Sequence, residues 1–187
     1  AGSSASANIE GFVYVSMNSF YQTDLTFTSQ NYGAGKCGRV DRILLLTQIY
    51  GMTSAAVLGL LAYGFGAPLA SIYAPGEPEV IEWAVVRMGY ICRFYFICGA
   101  MDTMVGILRG LEYSVVPMVV SMLGACGTRL LWIATVFQMP QFHTPQVLFL
   151  SYPISWLITA ATHFTVFLVV RKRAYARAAA RLEEQAG

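Results

Sequence analysis

The sequence predicts an all-α integral membrane protein with five transmembrane helices. Of its 187 residues, 56% are hydrophobic and only 12% are charged, whereas soluble domains average about 45–50% apolar and about 25% charged residues. Five segments are long and apolar enough to cross a bilayer, which takes about 20 residues in a helix. None of them alternates polar and apolar residues with a period of two, so we do not expect a β-barrel.

The five predicted spans are separated by short connectors, several of them rich in glycine and proline. The spans run over about residues 9–30, 43–73, 80–108, 114–137 and 146–170. The first span is the least apolar, because Asn18, Gln22 and Asp24 lie within it. We interpret residues 1–173 as one membrane bundle and residues 174–187 as a basic tail.

Among the connectors and the tail, basic residues lie on only one side of this predicted bundle. The connectors on that side and the tail contain nine of them: Lys36, Arg39, Arg42, Arg109, Arg171, Lys172, Arg173, Arg177 and Arg181. The connectors 74–79 and 138–145 contain none. This asymmetry predicts a cytoplasmic C-terminus and an external N-terminus. Because no signal peptide opens the sequence, we expect the C-terminal piece of a longer membrane protein. A natural five-span protein is the alternative.

Ionisable side chains at membrane depth are costly, so each is first considered as a functional residue. Asp102 lies within the third span, where a carboxylate could bind a cation or a proton in one state and release it in another. The alternative is a buried ion pair with Arg93 or Arg129 that only fixes helix packing. Asp24 is a second candidate, although a water-filled vestibule could also solvate it.

The remaining polar residues of the spans are candidates for a cavity or for buried ion pairs. They are Asn18, Gln22, Arg93, Arg129 and His163. For His163, hydrogen-bonded packing is the alternative to a proton relay. Arg87 lies near the outer end of the third span, and we expect its side chain to extend to the membrane surface.

Several function classes leave motifs that this sequence lacks. Its four cysteines form no CxxC pair, and it has two histidines, so no clustered set of metal ligands is present. It contains no phosphate-binding glycine loop, no GxSxG and no HExxH. We therefore expect neither an enzyme nor an ATP-driven pump, with no metal or cofactor, and the small net charge of +2 does not indicate a nucleic-acid partner.

Two turns resemble those of a known transporter family. The string over residues 29–36, SQNYGAGK, contains Gln30, Asn31, Gly33 and Gly35 and resembles the "GQNxGAG" turn of multidrug and toxic compound extrusion (MATE) transporters. The string over residues 106–111, GILRGL, contains Arg109 and Gly110 and resembles their "LRGxG" turn. Residues 67–69 and 79–81 also fit the pattern, so the resemblance covers about residues 8–173.

The resemblance implies a twelve-helix antiporter made of two six-helix lobes, which exports cationic amphipathic compounds in exchange for Na⁺ or H⁺. This chain would supply the last five helices of the second lobe and would be inactive without the missing lobe. Family members carry an acidic residue on the helix that matches the third span, and here Asp102 takes that place. Two departures from the pattern are Glu112, where a glycine is usual, and Asp24, where small apolar residues are usual.

Two other functions remain open at this point. A flippase for lipid-linked saccharides, from the same superfamily, would need a cationic cavity to hold a pyrophosphate, and Arg93 and Arg129 could supply it. A membrane subunit without transport activity is the other alternative. In each case the expected location is the bacterial inner membrane, and membrane lipid is an expected partner.

Overall fold

The computed structural model describes residues 2–186, and the side chains of residues 2–184. Eight α-helices lie in this range: α1 (Gly2–Gly33), α2 (Cys37–Gly64), α3 (Gly66–Tyr73), α4 (Pro78–Ile91), α5 (Tyr95–Gly110), α6 (Val115–Ser121), α7 (Thr128–Ala134) and α8 (Pro145–Ala186). A π-helical turn at Met122–Gly127 joins α6 to α7, and 3₁₀ turns lie at Cys92–Phe94, Val136–Gln138 and Pro140–Phe142. The described residues include no strand, so the predicted all-α class is confirmed.

Four helical stretches of the described chain are long and apolar enough to span a membrane, against the five that were predicted. They are Cys37–Gly64, Pro78–Gly110, Val115–Gln138 and Pro145–Glu184, and they correspond to the second through fifth predicted spans. Helix α1 has 32 residues, which is about 48 Å at about 1.5 Å per residue. It is therefore long enough to cross a bilayer, but it is not apolar enough to be counted with the other four.

Three predicted spans are interrupted. The segment 43–73 was predicted as one helix, but α2 ends at Gly64 and α3 begins at Gly66. Two glycines flank this break, and glycine is among the poorest helix formers. The third span contains a 3₁₀ turn at Cys92–Phe94, and the fourth contains the π-helical turn. Hydropathy alone reveals neither, because such turns change the hydrogen-bond pattern and leave the composition apolar.

Helices α1 and α5 approach each other through two glycines. A Cβ atom at Gly106 would lie 2.7 Å from the Cβ of Asp24 and 2.7 Å from the carbonyl oxygen of Tyr21. A Cβ atom at Gly110 would lie 2.5 Å from the Cβ of Thr28. Side chains at either position would push the helices apart, since small residues are what allow membrane helices to pack at short range.

The C-terminus of α1 is closed by a Schellman cap. The backbone N–H of Lys36 donates to the carbonyl of Asn31 at 2.8 Å, and that of Gly35 donates to the carbonyl of Tyr32 at 3.0 Å. Gly35 has φ +68°, the left-handed conformation that this cap requires and that glycine adopts without steric cost. The first family-like turn is thus a helix cap.

The C-terminus of α5 is closed in the same way, but without glycine. The N–H of Tyr113 donates to the carbonyl of Leu108 at 3.0 Å, and that of Glu112 donates to the carbonyl of Arg109 at 3.0 Å. Glu112 has φ 70°, which costs a residue with a Cβ about 1–2 kcal/mol. The expected departure from the family pattern therefore places a side chain where the backbone geometry favours glycine.

The last turns of α8 pack on both caps. The helix continues without a break through position 173, where the basic tail was predicted to begin. Leu182 lies against Gly35, and Arg181 donates to both carboxylate oxygens of Glu112 at 2.9 and 2.8 Å. Closer to the bundle, Arg171 contacts Asp41 at 2.5 Å. The end of α8 therefore joins the α1–α2 turn to the α5–α6 turn.

We predict that Gly106→Ala destabilises the bundle by about 1–3 kcal/mol, because overpacking a close contact forces side chains or backbone to shift. The control is Gly11→Ala, since a Cβ there meets no atom within 4 Å and alanine is the better helix former, by about 0.5–1 kcal/mol. Unfolding in detergent, followed by tryptophan fluorescence, measures both variants. Equal stability of the two would contradict the close α1–α5 packing.

The contact of α8 with Glu112 is expected to depend on pH. Hydrogen bonds from Arg181 lower the pKa of the Glu112 carboxyl below its ordinary value of 4.5. A lowered pKa in the folded state means that the stabilisation is present above pH 4.5 and is lost as the pH falls through the folded-state pKa. Acidification through the folded-state pKa should therefore loosen the end of α8.

Amide hydrogen exchange over residues 174–184 tests this contact. At neutral pH, Arg181→Gln should speed exchange by roughly two- to fivefold, the range for an exposed ion pair. Lys172→Gln, on the exposed part of the same helix, is the matched control and should change little. If Arg181→Gln exchanges like the wild-type protein, Arg181 does not hold the end of α8 in place.

Candidate functional site

One face of α1 is exposed along its whole length, and six of its eight residues are polar; we call it the polar face. Its residues repeat every three or four positions and so lie in one line: Ser4, Asn8, Gly11, Val15, Asn18, Gln22, Thr26 and Ser29. The opposite face is buried in the bundle and includes Ile9, Val13 and Met17. This polar face explains why α1 is less apolar than the other spans. Its amide and hydroxyl groups are of the kind that can line a water-filled cavity.

Asp102 lies on α5, beside the edge of this polar face. The residue is half-buried, and its Oδ2 is enclosed with no hydrogen-bond partner among the described residues. Tyr14, on α1 beside the polar face, is close enough to interact with the carboxylate electrostatically. No basic side chain in the described chain forms an ion pair with Asp102. An unpaired carboxylate at this depth can accept a proton or a small cation.

The two arginines considered as partners of Asp102 bind aromatic residues instead. Arg93 is exposed and donates to the hydroxyl of Tyr63 at 2.6 Å, with its guanidinium 4.3 Å from the centre of that ring. Arg129 donates to Ser155 at 2.9 Å and stacks 4.1 Å from the ring centre of Tyr152. These cation–π contacts hold the guanidinium groups without a carboxylate.

Asp24 is fully enclosed between helices. It is 0% exposed, and neither carboxylate oxygen has a hydrogen-bond partner among the described residues. It lies on the buried face of α1, opposite Gln22 and Asn18, which are exposed. The structure therefore separates Asp24 from the polar face to which two of its near neighbours in sequence belong.

His163 is buried between α8 and α6. Its Nε2 lies 3.3 Å from the carbonyl oxygen of Pro117 and 3.5 Å from Oγ of Ser121, and its Nδ1 is enclosed without a partner in the described part of the chain. Both contacts are to α6, whose last residue, Ser121, precedes the π-helical turn. His163 thus fixes α8 against the first part of the fourth span.

The family-like turns lie at the basic end of the bundle, and Gly33 ends α1 there. Gln30 and Asn31 line a cleft of about 630 Å³ together with Lys36, Arg39 and Arg42. Arg109 donates to the hydroxyl of Tyr21 at 2.6 Å. This bond ties α5 to α1 on the same side as the glycine contacts. The turn residues therefore position helices and form a basic cleft.

Sequence reasoning missed the ion pair of Glu10 with Arg87. The prediction that Arg87 extends to the membrane surface is wrong, since the residue is 7% exposed and Arg87 Nη2 lies 3.3 Å from Glu10 Oε2. Arg87 also donates to the carbonyl of Ser3 at 2.5 Å, and Ser6 donates to Glu10 at 2.5 Å. A signal was available, because both residues lie near the starts of the first and third predicted spans, which run in the same direction.

Comparison with known protein families agrees with this arrangement. The model of the family MatE matches residues 1–135, which is most of the 187 residues. The chain belongs to the MatE family. No curated protein matches it.

Membership makes this MatE chain part of a multi-pass membrane transporter of the MATE superfamily. The matched region contains both family-like turns and most of the candidate residues, among them Asp24, Asp102, Arg93 and Arg129. His163 lies beyond it. The family match therefore includes the polar face of α1, Asp24 and Asp102.

We predict that Arg87→Met destabilises the MatE chain by about 3 kcal/mol, because it leaves the Glu10 carboxylate buried without its partner. The double variant Glu10→Gln/Arg87→Met should recover most of this loss. Arg93→Met is the control, since Arg93 is exposed and binds a neutral phenol. Thermal unfolding in detergent measures all three variants. If the double variant is no more stable than Arg87→Met, the ion pair does not account for the loss.

Proposed function

We propose that this chain forms one lobe of a secondary antiporter that exports cationic, amphipathic compounds in exchange for Na⁺ or H⁺. The proposal rests mainly on Asp102, a carboxylate within a membrane span that no basic side chain of the described chain neutralises. A carboxylate of this kind can bind the coupling ion in one conformation and release it in another. Membership of a transporter family supports the same interpretation.

The polar face of α1 supports a water-filled substrate pathway beside this carboxylate. Its amides and hydroxyls are exposed in the chain alone, and a polar surface facing lipid would be costly. A second lobe facing α1 would enclose the pathway between the two lobes. On this proposal the partner of the chain is the N-terminal lobe of a complete transporter, and the chain is inactive alone.

The distribution of charge supports an orientation in the membrane. Both family-like turns and the end of α8 meet at one end of the bundle, and the nine basic residues lie at or near that end. The proposal places this end, with the C-terminus, in the cytoplasm of a bacterium and the chain in its inner membrane. Membrane lipid is then the surrounding partner.

The flippase is the second candidate, because the guanidinium groups of Arg93 and Arg129 are already bound by neighbouring side chains. A lipid-linked pyrophosphate would need free guanidinium groups facing a cavity. Arg129 is instead held by Ser155 and Tyr152, and Arg93 by Tyr63. A subunit without transport activity is the remaining alternative, and it predicts no role for Asp102.

The test is transport by this chain joined to the N-terminal lobe of a MatE transporter in an efflux-deficient bacterium. We expect the joined protein to lower ethidium accumulation and Asp102→Asn to abolish this effect, because the amide cannot carry the ion's charge. Glu79→Gln, an exposed acid at the end of the bundle without basic residues, is the matched control and should transport normally.

Each other outcome has a distinct meaning. Full activity of Asp102→Asn would exclude Asp102 as the coupling residue. Lower accumulation from the chain alone would show that no second lobe is needed. No change with either protein, once insertion in the membrane is verified, would favour the flippase or the inactive subunit.

A further inference from the structure

The carboxyl group of Asp24 lies in an enclosed contact of α1 with α2 and α5. It is 0% exposed, and both of its oxygens lack a hydrogen-bond donor among the described residues. Gly106 of α5 packs directly against it, because a Cβ there would come within 2.7 Å of the Asp24 Cβ. Burial of an ionised carboxylate without donors or a counter-ion is among the most costly arrangements in a protein.

Thr47 of α2 places a hydroxyl beside this carboxyl group. The hydroxyl has one proton, and it is donated to the backbone carbonyl oxygens of Ile43 at 2.9 Å and Leu44 at 3.3 Å. With its proton engaged in this way, the Thr47 hydroxyl can act toward the carboxyl group only as an acceptor. Two acceptor oxygens that face each other repel, unless a proton or a cation lies between them.

The charged groups on the surrounding helices do not neutralise Asp24. On α5, Arg109 binds the Tyr21 hydroxyl and forms no ion pair with Asp24, and Asp102, one turn from Gly106, is itself acidic. On α2, the segment 43–51 has no charged residue, and its one titratable group, Tyr50, is exposed. On α4, Arg87 is bound to Glu10.

Helices α3 and α8 also provide no counter-ion for Asp24. Helix α3 contains no charged residue. On α8, Arg171 is bound to Asp41, and His163 contacts Pro117. At the start of α2, Lys36, Arg39 and Arg42 are exposed. No basic side chain of the described residues therefore forms an ion pair with Asp24.

We propose that Asp24 is a proton-binding site, occupied at neutral pH by a carboxylic acid whose O–H donates to Oγ1 of Thr47. Thr47 in turn donates to the carbonyl of Ile43, so one proton completes the chain from Asp24 through Thr47 to the backbone. A metal ion would need several more oxygen ligands than this contact offers. The described residues also contain no group of three acidic, histidine or cysteine side chains that could hold one.

The protonation of Asp24 rests on packing and does not require the chain to transport anything. Its use in transport rests on the proposed antiporter, in which Asp24 would be a proton site separate from Asp102. Because Asp24 is 0% exposed, such a proton could leave only if α1 moved relative to α2 or α5.

The sequence makes the test simple, since it contains three aspartates: Asp24, Asp41 and Asp102. Solid-state NMR of the full protein in lipid vesicles, with ¹³C-labelled aspartate carboxyl groups, should give three signals. Variants Asp41→Asn and Asp102→Asn assign two of them, so the Asp24 signal is identified even if an Asp24 variant does not fold. We expect it at the position of a carboxylic acid at neutral pH.

Thr47→Val tests the proposed hydrogen bond. Loss of this acceptor should change the chemical shift of the protonated Asp24 carboxyl group, because its O–H loses its hydrogen-bond partner. Thr53→Val, at an exposed position of the same helix, is the matched control and should leave that signal unchanged.

Two results would overturn the proposal. One is an Asp24 signal at the position of an ionised carboxylate at neutral pH. The other is a shift of that signal on addition of NaCl, which would indicate a bound metal cation. Neither result depends on ethidium transport, so failure of this inference is distinguishable from failure of the proposed antiporter.

Discussion

The close contact of α1 with α5 is the constraint on which the other features depend. Gly106 and Gly110 are four residues apart and so lie on one side of α5, where they admit the backbone of α1. The same contact encloses Asp24, brings Arg109 to Tyr21 and sets Asp102 beside Tyr14 at the edge of the polar face. If the helices were further apart, water could reach Asp24, and the two aspartates would share one environment.

The two Schellman caps show how the same backbone geometry is reached with different residues. Gly35 adopts the left-handed conformation freely, whereas Glu112 adopts it at a steric cost. The carboxylate of Glu112 gains two hydrogen bonds from Arg181, which glycine would lack. The adjacent Leu182 lies against Gly35. Two consecutive residues of α8, Arg181 and Leu182, therefore contact the two caps. The glutamate at position 112, where the family usually has glycine, is bound by the same helix end that covers Gly35.

Composition and hydropathy were enough to predict the helical class, four of the spans and the positions of both turns. They could not show the breaks at Phe65 and at Cys92–Phe94, because these depend on local hydrogen bonds. The sequence also left open whether Asp102 pairs with Arg93 or Arg129. Whether Asp102 faces either arginine depends on how each helix is rotated about its axis. The order of residues along the chain does not determine that rotation. The exposed face of α1 was readable in principle, from the spacing of its polar residues.

The two membrane-embedded aspartates illustrate how packing assigns different chemistry to the same side chain. Asp102 and the glycine that touches Asp24 are one helical turn apart on α5. Asp102 is half-buried beside a polar, exposed surface, where an ion can arrive and leave without separating helices. Asp24 is sealed by Gly106 and faces an oxygen whose proton is already donated. Under the proposed function, exchange at Asp24 would therefore require α1 to move relative to α2 or α5, whereas exchange at Asp102 would require only access from the proposed cavity.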